Sequence, residues 1–308
     1  MEKQHIDSSA PVRPFSTLAP SPATTGTGPK RYIDTPHAKL SACRTEVDHD
    51  RYLTDQEIHA LNTYDFMAYL GKSVINPGGV KGRNQILALL KPTPASRILE
   101  IGCGTGHAAC YLAKRYGCHV TAIDISPKMI RDAQVVVQAQ GLENQVSCEV
   151  GNITTLPFND GTFDSGICQA VLMFVDKRQA LAEIQRVLQP GGRFAGLEFS
   201  WKCEPSEVVR QATYAICGCR TLEFHSWRGW ASHFDQAGFD RIESREQPFT
   251  MLSLPGFVRD EGLANSLRIF GKLVRRRANI QRMSEIWRHF SRHADYFSYT
   301  VLSAHRLS

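Results

Sequence analysis

The feature that most constrains this chain is the run Glu100-Ile101-Gly102-Cys103-Gly104-Thr105-Gly106. It follows a short apolar stretch, Arg97–Ile101, and precedes a helical pattern over His107–Tyr116. Glycines at alternate positions let the backbone turn tightly and let a ligand come against it without interference from a Cβ. A helix starting at the same place offers unpaired N–H groups. In an open α/β sheet, ligands settle beyond the carboxyl ends of the strands. The run therefore predicts a nucleoside-type ligand, with a ligand-free glycine turn as the plain alternative. A dinucleotide fingerprint, G-x-G-x-x-G, needs a third glycine where this chain has His107.

What surrounds the loop is a regular alternation. Strands are expected at Arg97–Ile101, His119–Ile123, Val146–Val150, Phe163–Cys168 and Arg193–Phe199, with two more at Phe239–Arg245 and Phe297–His305. Helices fall between them. One opens on Ser126 as cap and Pro127 in first position, where the missing N–H costs nothing, and its stripe is Met129, Ala133 and Val136. Another, Lys177–Leu188, turns Leu181, Ile184 and Leu188 inward and stops at Pro190-Gly191-Gly192. A further helix covers Trp227–Ala237. Alternation of this kind predicts a doubly wound, seven-stranded, mostly parallel sheet with helices on both faces. Ahead of it, one helix is expected over Asp55–Leu70, a turn at Asn76-Pro77-Gly78-Gly79 and a second helix over Lys81–Leu90.

The domain plan is then a Ser-, Thr- and Pro-rich segment, 1–50, disordered or loosely attached, and a helical cap, 51–96. A ligand-binding α/β core follows at 97–250, a basic helical lid at 251–295, and a final core strand at 296–308.

Asp124 ends the second strand, where a carboxylate can accept from both hydroxyls of a ribose; its alternative is a helix-entry acid. Gly151-Asn152-Ile153 follows the third strand, placed to meet a base edge. Together with Phe163-Asp164 and Leu188-Gln189-Pro190-Gly191-Gly192, these pieces resemble the class I S-adenosylmethionine-dependent methyltransferases, from about Ile98 to Ser200. Within that superfamily, Leu197-Glu198-Phe199-Ser200 resembles the quinone-ring C-methyltransferases, and the neighbourhood is similar to sterol C-methyltransferases and arsenite methyltransferases. The resemblance implies S-adenosyl-L-methionine as cofactor, contacted by Glu100, Gly102, Cys103, Gly104, Gly106, Asp124, Ile125, Met129, Asn152, Ile153 and Gln169. The family usually carries Asp where this chain has Asn152, which both donates and accepts.

Methyl transfer to a small, partly apolar metabolite is the expected function, on a ring carbon, phenol oxygen, amine or thiol. Candidate bases are Glu198 and His225, each with a structural role as its alternative, and Tyr64, Phe66 and Tyr69 stand either as a substrate wall or as helix core. Two other readings are an arsenite- or thiol-type enzyme using Cys203, Cys217 and Cys219, and a cofactor-binding regulator without turnover. No metal is expected, since Cys217-x-Cys219 is tighter than structural zinc spacing. Nucleic acid is not expected as a partner. Cys168-Gln169-Ala170-Val171 stands where base-amine methyltransferases carry an Asn/Asp-Pro-Pro-aromatic element, and the positive charge is local. Gly262–Ala294 holds eight Lys or Arg against one acid, more than the whole net charge of +6. This amphipathic segment, with Leu267, Phe270, Leu273 and Val274, is expected to bury its apolar side. It reads as a lid over a lipophilic or anionic substrate, as a solvated face, or as a peripheral membrane contact. Scattered cysteines and the absence of a basic, apolar leader predict a cytoplasmic protein without a spanning helix. The oligomeric state stays open.

Overall fold

The computed structural model describes residues 53–308, apart from 220 and 250–252. The expectation for residues 1–50 lies outside the described residues. In chain order, helices α1 (Asp55–Ala60), α2 (Thr63–Leu70) and α3 (Gly79–Leu90) lead into β1 (Arg97–Ile101). Then come α4 (His107–Tyr116), β2 (His119–Asp124), α5 (Pro127–Ala139), β3 (Val146–Val150) and β4 (Phe163–Gln169). A short 3-10 turn, Leu172–Phe174, precedes α6 (Lys177–Val187) and β5 (Leu188–Trp201). The remainder is α7 (Glu207–Cys217), α8 (Trp227–Gln236), β6 (Phe239–Pro248), α9 (Leu254–Val274), α10 (Arg277–Arg292) and β7 (Phe297–Arg306).

The seven strands form one sheet in the order β3-β2-β1-β4-β5-β7-β6. All pairs are parallel except those of β7, which runs antiparallel to both β5 and β6. Alternation along each strand divides the core. Ile98, Val120, Ile167 and Leu197 pack with α3, α4 and α5 on one face, while Leu99, Ile123, Cys168 and Phe194 meet α6 and α8 on the other. The strand order reverses between β1 and β4, so the crevice beyond their carboxyl ends is the place where such a sheet binds its ligand.

Four local expectations change. The helix over Asp55–Leu70 is two helices. Thr54 and Glu57 form a capping box for the first. Asn62 then interrupts the run, because its side chain accepts from Asp65 N and starts the second. On α5 the buried stripe is Ile130, Ala133 and Val137, one residue on from Met129 and Val136. Helix α7 is an element the sequence reading passed over, although Ser206 caps it and Val209, Thr213 and Cys217 make its buried stripe. The fourth change is the largest. Of the expected stripe on α9, Leu267, Phe270 and Val274 are 63%, 59% and 50% exposed and, with Leu263 at 68%, face solvent, while Leu273 alone packs against the core. What α9 buries is Asp260, Glu261, Ser266 and Ile269. Lys72 and Glu261 form an ion pair at 3.1 Å with side chains 1% and 0% exposed. Glu261 also accepts from Ser73 N and Val74 N, and Asp260 from Val80 N. These acids bind the loop that starts α3; Phe257, Ile269 and Leu273 pack inward with them, and the Leu263–Val274 stripe is left outward. Among the described residues, no helix is long and apolar enough to cross a membrane.

Candidate active site

Gly102 leaves β1 with φ +71, and a Cβ there would stand 2.3 Å from Val171 Cγ2. Only glycine fits. Gly104, at φ +54, has nothing within 4 Å of its would-be Cβ, so its bare backbone faces open space. Asp124 ties the loop to β2: it is buried, accepts from Gly104 N at 3.0 Å through Oδ2 and from Ser126 N at 3.0 Å through Oδ1. The cleft beyond them, roughly 640 Å³ with its open mouth, is lined by Gly102, Asp124, Ile125, Asn152 and Ile153 from the expected set. It is closed by Asn62 and Tyr64 from the α1–α2 region, and by Val171, Phe174 and Val175 after β4. The Tyr64 and Phe174 rings meet edge to face at 5.3 Å. Phe66 and Tyr69, the other two candidate wall residues, are buried in the core.

Two polar atoms are buried here without a hydrogen-bond partner among the described residues: Asn152 Nδ2, of a residue in the lining, and Glu100 Oε2, on β1 just before the glycine loop and outside the lining. Burial pushes the Glu100 carboxyl up to about 8, against the N–H of Ala109, while Asp124 adds to the rise and Arg83 opposes it. Arg83, on α3, was not singled out in the sequence. Its guanidinium lies 3.9 Å over the Tyr111 ring, and its buried Nε has no partner among the described residues. Asn152 Oδ1 accepts from Thr154 N and Thr154 Oγ1, both at 3.0 Å. A backbone N–H can only donate, which fixes the amide and turns Nδ2, a donor, toward the cleft.

The other expected residues are placed differently. Cys103 is buried, with a thiol pushed up first by burial and then by Glu100 and Asp124, so it carries no thiolate. Gly106 starts α4 against Ala133 of α5. Met129 stands on the first turn of α5, outside the cleft lining. Gln169 ends β4 and accepts from Asn76 Nδ2 at 3.1 Å. Neither candidate base lines the cleft. Glu198 is fully buried, and its carboxylate accepts from Val171 N, Leu172 N and Met173 N, holding the strained turn where Ala170 has φ +58. Burial pushes that carboxyl up to about 7 despite those donors. His225 packs on Trp230 and on His233 at 4.5 Å, and burial, then His233 and Lys177, push it down to about 4. Among the described residues Cys203, Cys217 and Cys219 do not converge, and Cys219 is disulfide-bonded, against the expectation of reduced thiols throughout. Cys203 is exposed beside Asp295 O, Cys217 is buried with its thiol pushed up to about 12, and Cys219 Sγ lies against Thr221 Oγ1. Among the described residues, no group of His, Cys, Asp or Glu could hold a metal ion.

A family model described as a methyltransferase domain matches residues 99–196, the strands and loops that build this cleft. A demethylmenaquinone methyltransferase of Lactiplantibacillus plantarum is 32% identical over 182 residues, 52% of this chain and 77% of that one. The chain belongs to the class I S-adenosylmethionine-dependent methyltransferases. It is an enzyme, and S-adenosyl-L-methionine is its cofactor. An uncharacterized protein of Haemophilus influenzae is 29% identical over 209 residues, 67% of this chain and 83% of that one. Phosphoethanolamine N-methyltransferase 2 of Haemonchus contortus, solved with S-adenosyl-L-methionine, shares the fold with a TM-score of 0.65 at 21% identity. The likeness covers 90% of this chain and 61% of that one. The residues present fit the cofactor: an orphaned carboxylate oxygen and an orphaned amide donor flank an open glycine cradle.

Proposed function

We propose that this methyltransferase acts on a small, partly apolar molecule held between the glycine-loop end of the cleft and the Tyr64–Phe174 pair. The observation that carries the reading is the wall itself. Tyr64, Val171, Phe174 and Val175 close the cleft beside Asp124, which is the only carboxylate in its lining among the described residues. When bound, the cofactor supplies an activated sulfonium methyl. The chain's residues do the rest. Glu100 Oε2 would meet the cofactor's ammonium and Arg83 its carboxylate, a charge match for a zwitterion. Asp124 would take the ribose hydroxyls. Asn152 Nδ2 would donate to a ring nitrogen of adenine, where the family's Asp accepts from the amine. The apolar wall would exclude water and set an acceptor in line with the methyl.

Glu198 then acts by positioning: it fixes the Ala170–Phe174 turn that carries half of the wall. With both candidate bases away from the lining, the reading favours an acceptor that is nucleophilic once its own proton has gone to water, an amine before a phenol or ring carbon. The test is transfer of labelled methyl to paired amine and phenol acceptors of similar size. Amine methylation whose rate rises with pH and levels off at the acceptor's own pKa supports the reading. Binding of the cofactor with no transfer to any acceptor class would sink it in favour of a regulator. A thiol-directed enzyme lacks the convergent cysteines that it needs among the described residues.

A further inference from the structure

We propose that the outward face of α9 is a docking surface for anionic membrane, holding the enzyme at a bilayer as a peripheral protein. After the kink at Gly262, where φ is +71 and ψ is 164, the helix presents Leu263, Leu267, Phe270 and Val274. Spacings of four, three and four place them on one stripe along roughly 16 Å of helix. All four are at least half exposed. Leu254 and Val258, before the kink, add 75% and 38% exposure, so six of the molecule's exposed large apolar side chains lie on this one helix. A soluble surface scatters such residues; concentration on one helix marks a contact.

Charge identifies the occupant. The acids of α9, Asp260 and Glu261, point inward, with side chains 1% and 0% exposed. The exposed charges it keeps are Arg259, Arg268 and Arg275, and Arg277 follows at the start of α10. Beside the apolar stripe lie the small residues Ala264 and Gly271, and next around the helix come Arg268 and Arg275. That is the layout of a helix lying in a headgroup plane, where apolar side chains enter the acyl boundary and arginines reach lipid phosphates. A second copy of this chain would bring the same exposed arginines, Arg259, Arg268 and Arg275, and no exposed acid of α9 onto the same contact. Residues 1–52, with seven Lys or Arg against six acids, offer no complementary charge. An anionic lipid surface does. The proposal does not depend on which acceptor is methylated.

The test is co-sedimentation of the full chain with vesicles of phosphatidylcholine alone and with phosphatidylglycerol added to about a third. Strong partition onto the anionic vesicles, weakened by salt and nearly lost on neutral ones, is expected. Replacing Leu263, Leu267, Phe270 and Val274 by Gln should abolish partition at an unchanged melting temperature. Arg268→Ser with Arg275→Ser should weaken it by roughly 5-fold for each arginine. No partition, or partition indifferent to both sets of substitutions, overturns the proposal. So does a concentration-dependent dimer, seen by sedimentation, that the glutamine variant dissolves.

Discussion

The glycine-loop cleft and helix α9 invert each other's burial. Around the glycine loop, polar atoms are buried with nothing to bond among the described residues, as with Glu100 Oε2 beside the cleft and Asn152 Nδ2 at it. In α9, the buried carboxylate is fully engaged: Glu261 takes Lys72, Ser73, Val74 and Asn265, and it is apolar carbon that lies outside. An orphaned polar group in a dry place costs stability unless a ligand completes it. An exposed apolar stripe costs nothing locally but invites a partner. The first region is built to be completed by a small polar molecule, the second by an apolar surface. Burial alone, without its hydrogen-bond inventory, would have ranked them the other way round.

The largest effect should come from breaking the satisfied region. Lys72→Met leaves the buried Glu261 without its cation. Uncompensated buried charge costs about 3 kcal/mol, which for a domain of this size is a drop of roughly 6–12 °C in melting temperature. A scanning-calorimetry shift under 2 °C would mean that the pair anchors nothing. Next is the completed region: Asp124→Ala removes the proposed ribose acceptor and the tie to Gly104. Cofactor affinity by titration calorimetry should fall by about 2–4 kcal/mol. If NAD bound in place of S-adenosylmethionine, the assignment of the cleft would fail.

A pH profile sharpens the contrast. Glu100 and Glu198 have folded-state pKa values of about 8 and about 7, both raised from 4.5 chiefly by burial. Their contribution to stability is therefore full below about 4.5 and is lost as pH rises through about 7 for Glu198 and about 8 for Glu100. Melting temperature without cofactor should decline from pH 5.5 to 8.5, where a protein of ordinary surface carboxylates stays flat, and Glu100→Gln should flatten the upper part. Because the cofactor's ammonium favours ionised Glu100, binding at pH 7 should release protons. Calorimetry in two buffers of different ionisation enthalpy reads this directly, and equal heats would remove Glu100 from the site. The smallest change is Asn152→Asp, which swaps the donor for an acceptor. A shift in cofactor affinity of about 1 kcal/mol is expected, and none at all would mean that Nδ2 does not face adenine.

The sheet was legible because each strand writes its burial into adjacent residues: Arg97–Ile101 and His119–Ile123 read as strands, and the glycine loop marks their carboxyl ends. Asp124 and Asn152 follow from that geometry. Arg83 does not, since its setting depends on Tyr111 and Glu100 across a helix and a strand. The break at Asn62 was available in its cap, but the apolar run through Leu61 and Tyr64 hid it. The α9 stripe shows why periodicity alone misleads. It says that one side is apolar, not which side is covered. Here Asp260 and Glu261 decided, by finding Lys72 and the backbone of Ser73–Val80.

The antiparallel strand β7 has a consequence for how freely this enzyme varies. It bridges β5 and β6, meeting Trp201 with Phe297 at one end and Phe239 with Arg306 at the other. Residues 249–296 therefore leave the sheet at Pro248 and rejoin it at Phe297, with both ends held by strand pairing. The entropy of closing such a loop grows only with the logarithm of its length, about 0.6 kcal/mol per doubling. The sheet is thus nearly indifferent to the size of the insertion between β6 and β7. What limits it is the grip of Asp260 and Glu261 on the loop before α3, together with α10, whose Ile286 and Phe290 sit in the core and whose Arg282 donates to Leu61 O and Ile216 O; between those anchors the outward part of α9 is free to be exchanged.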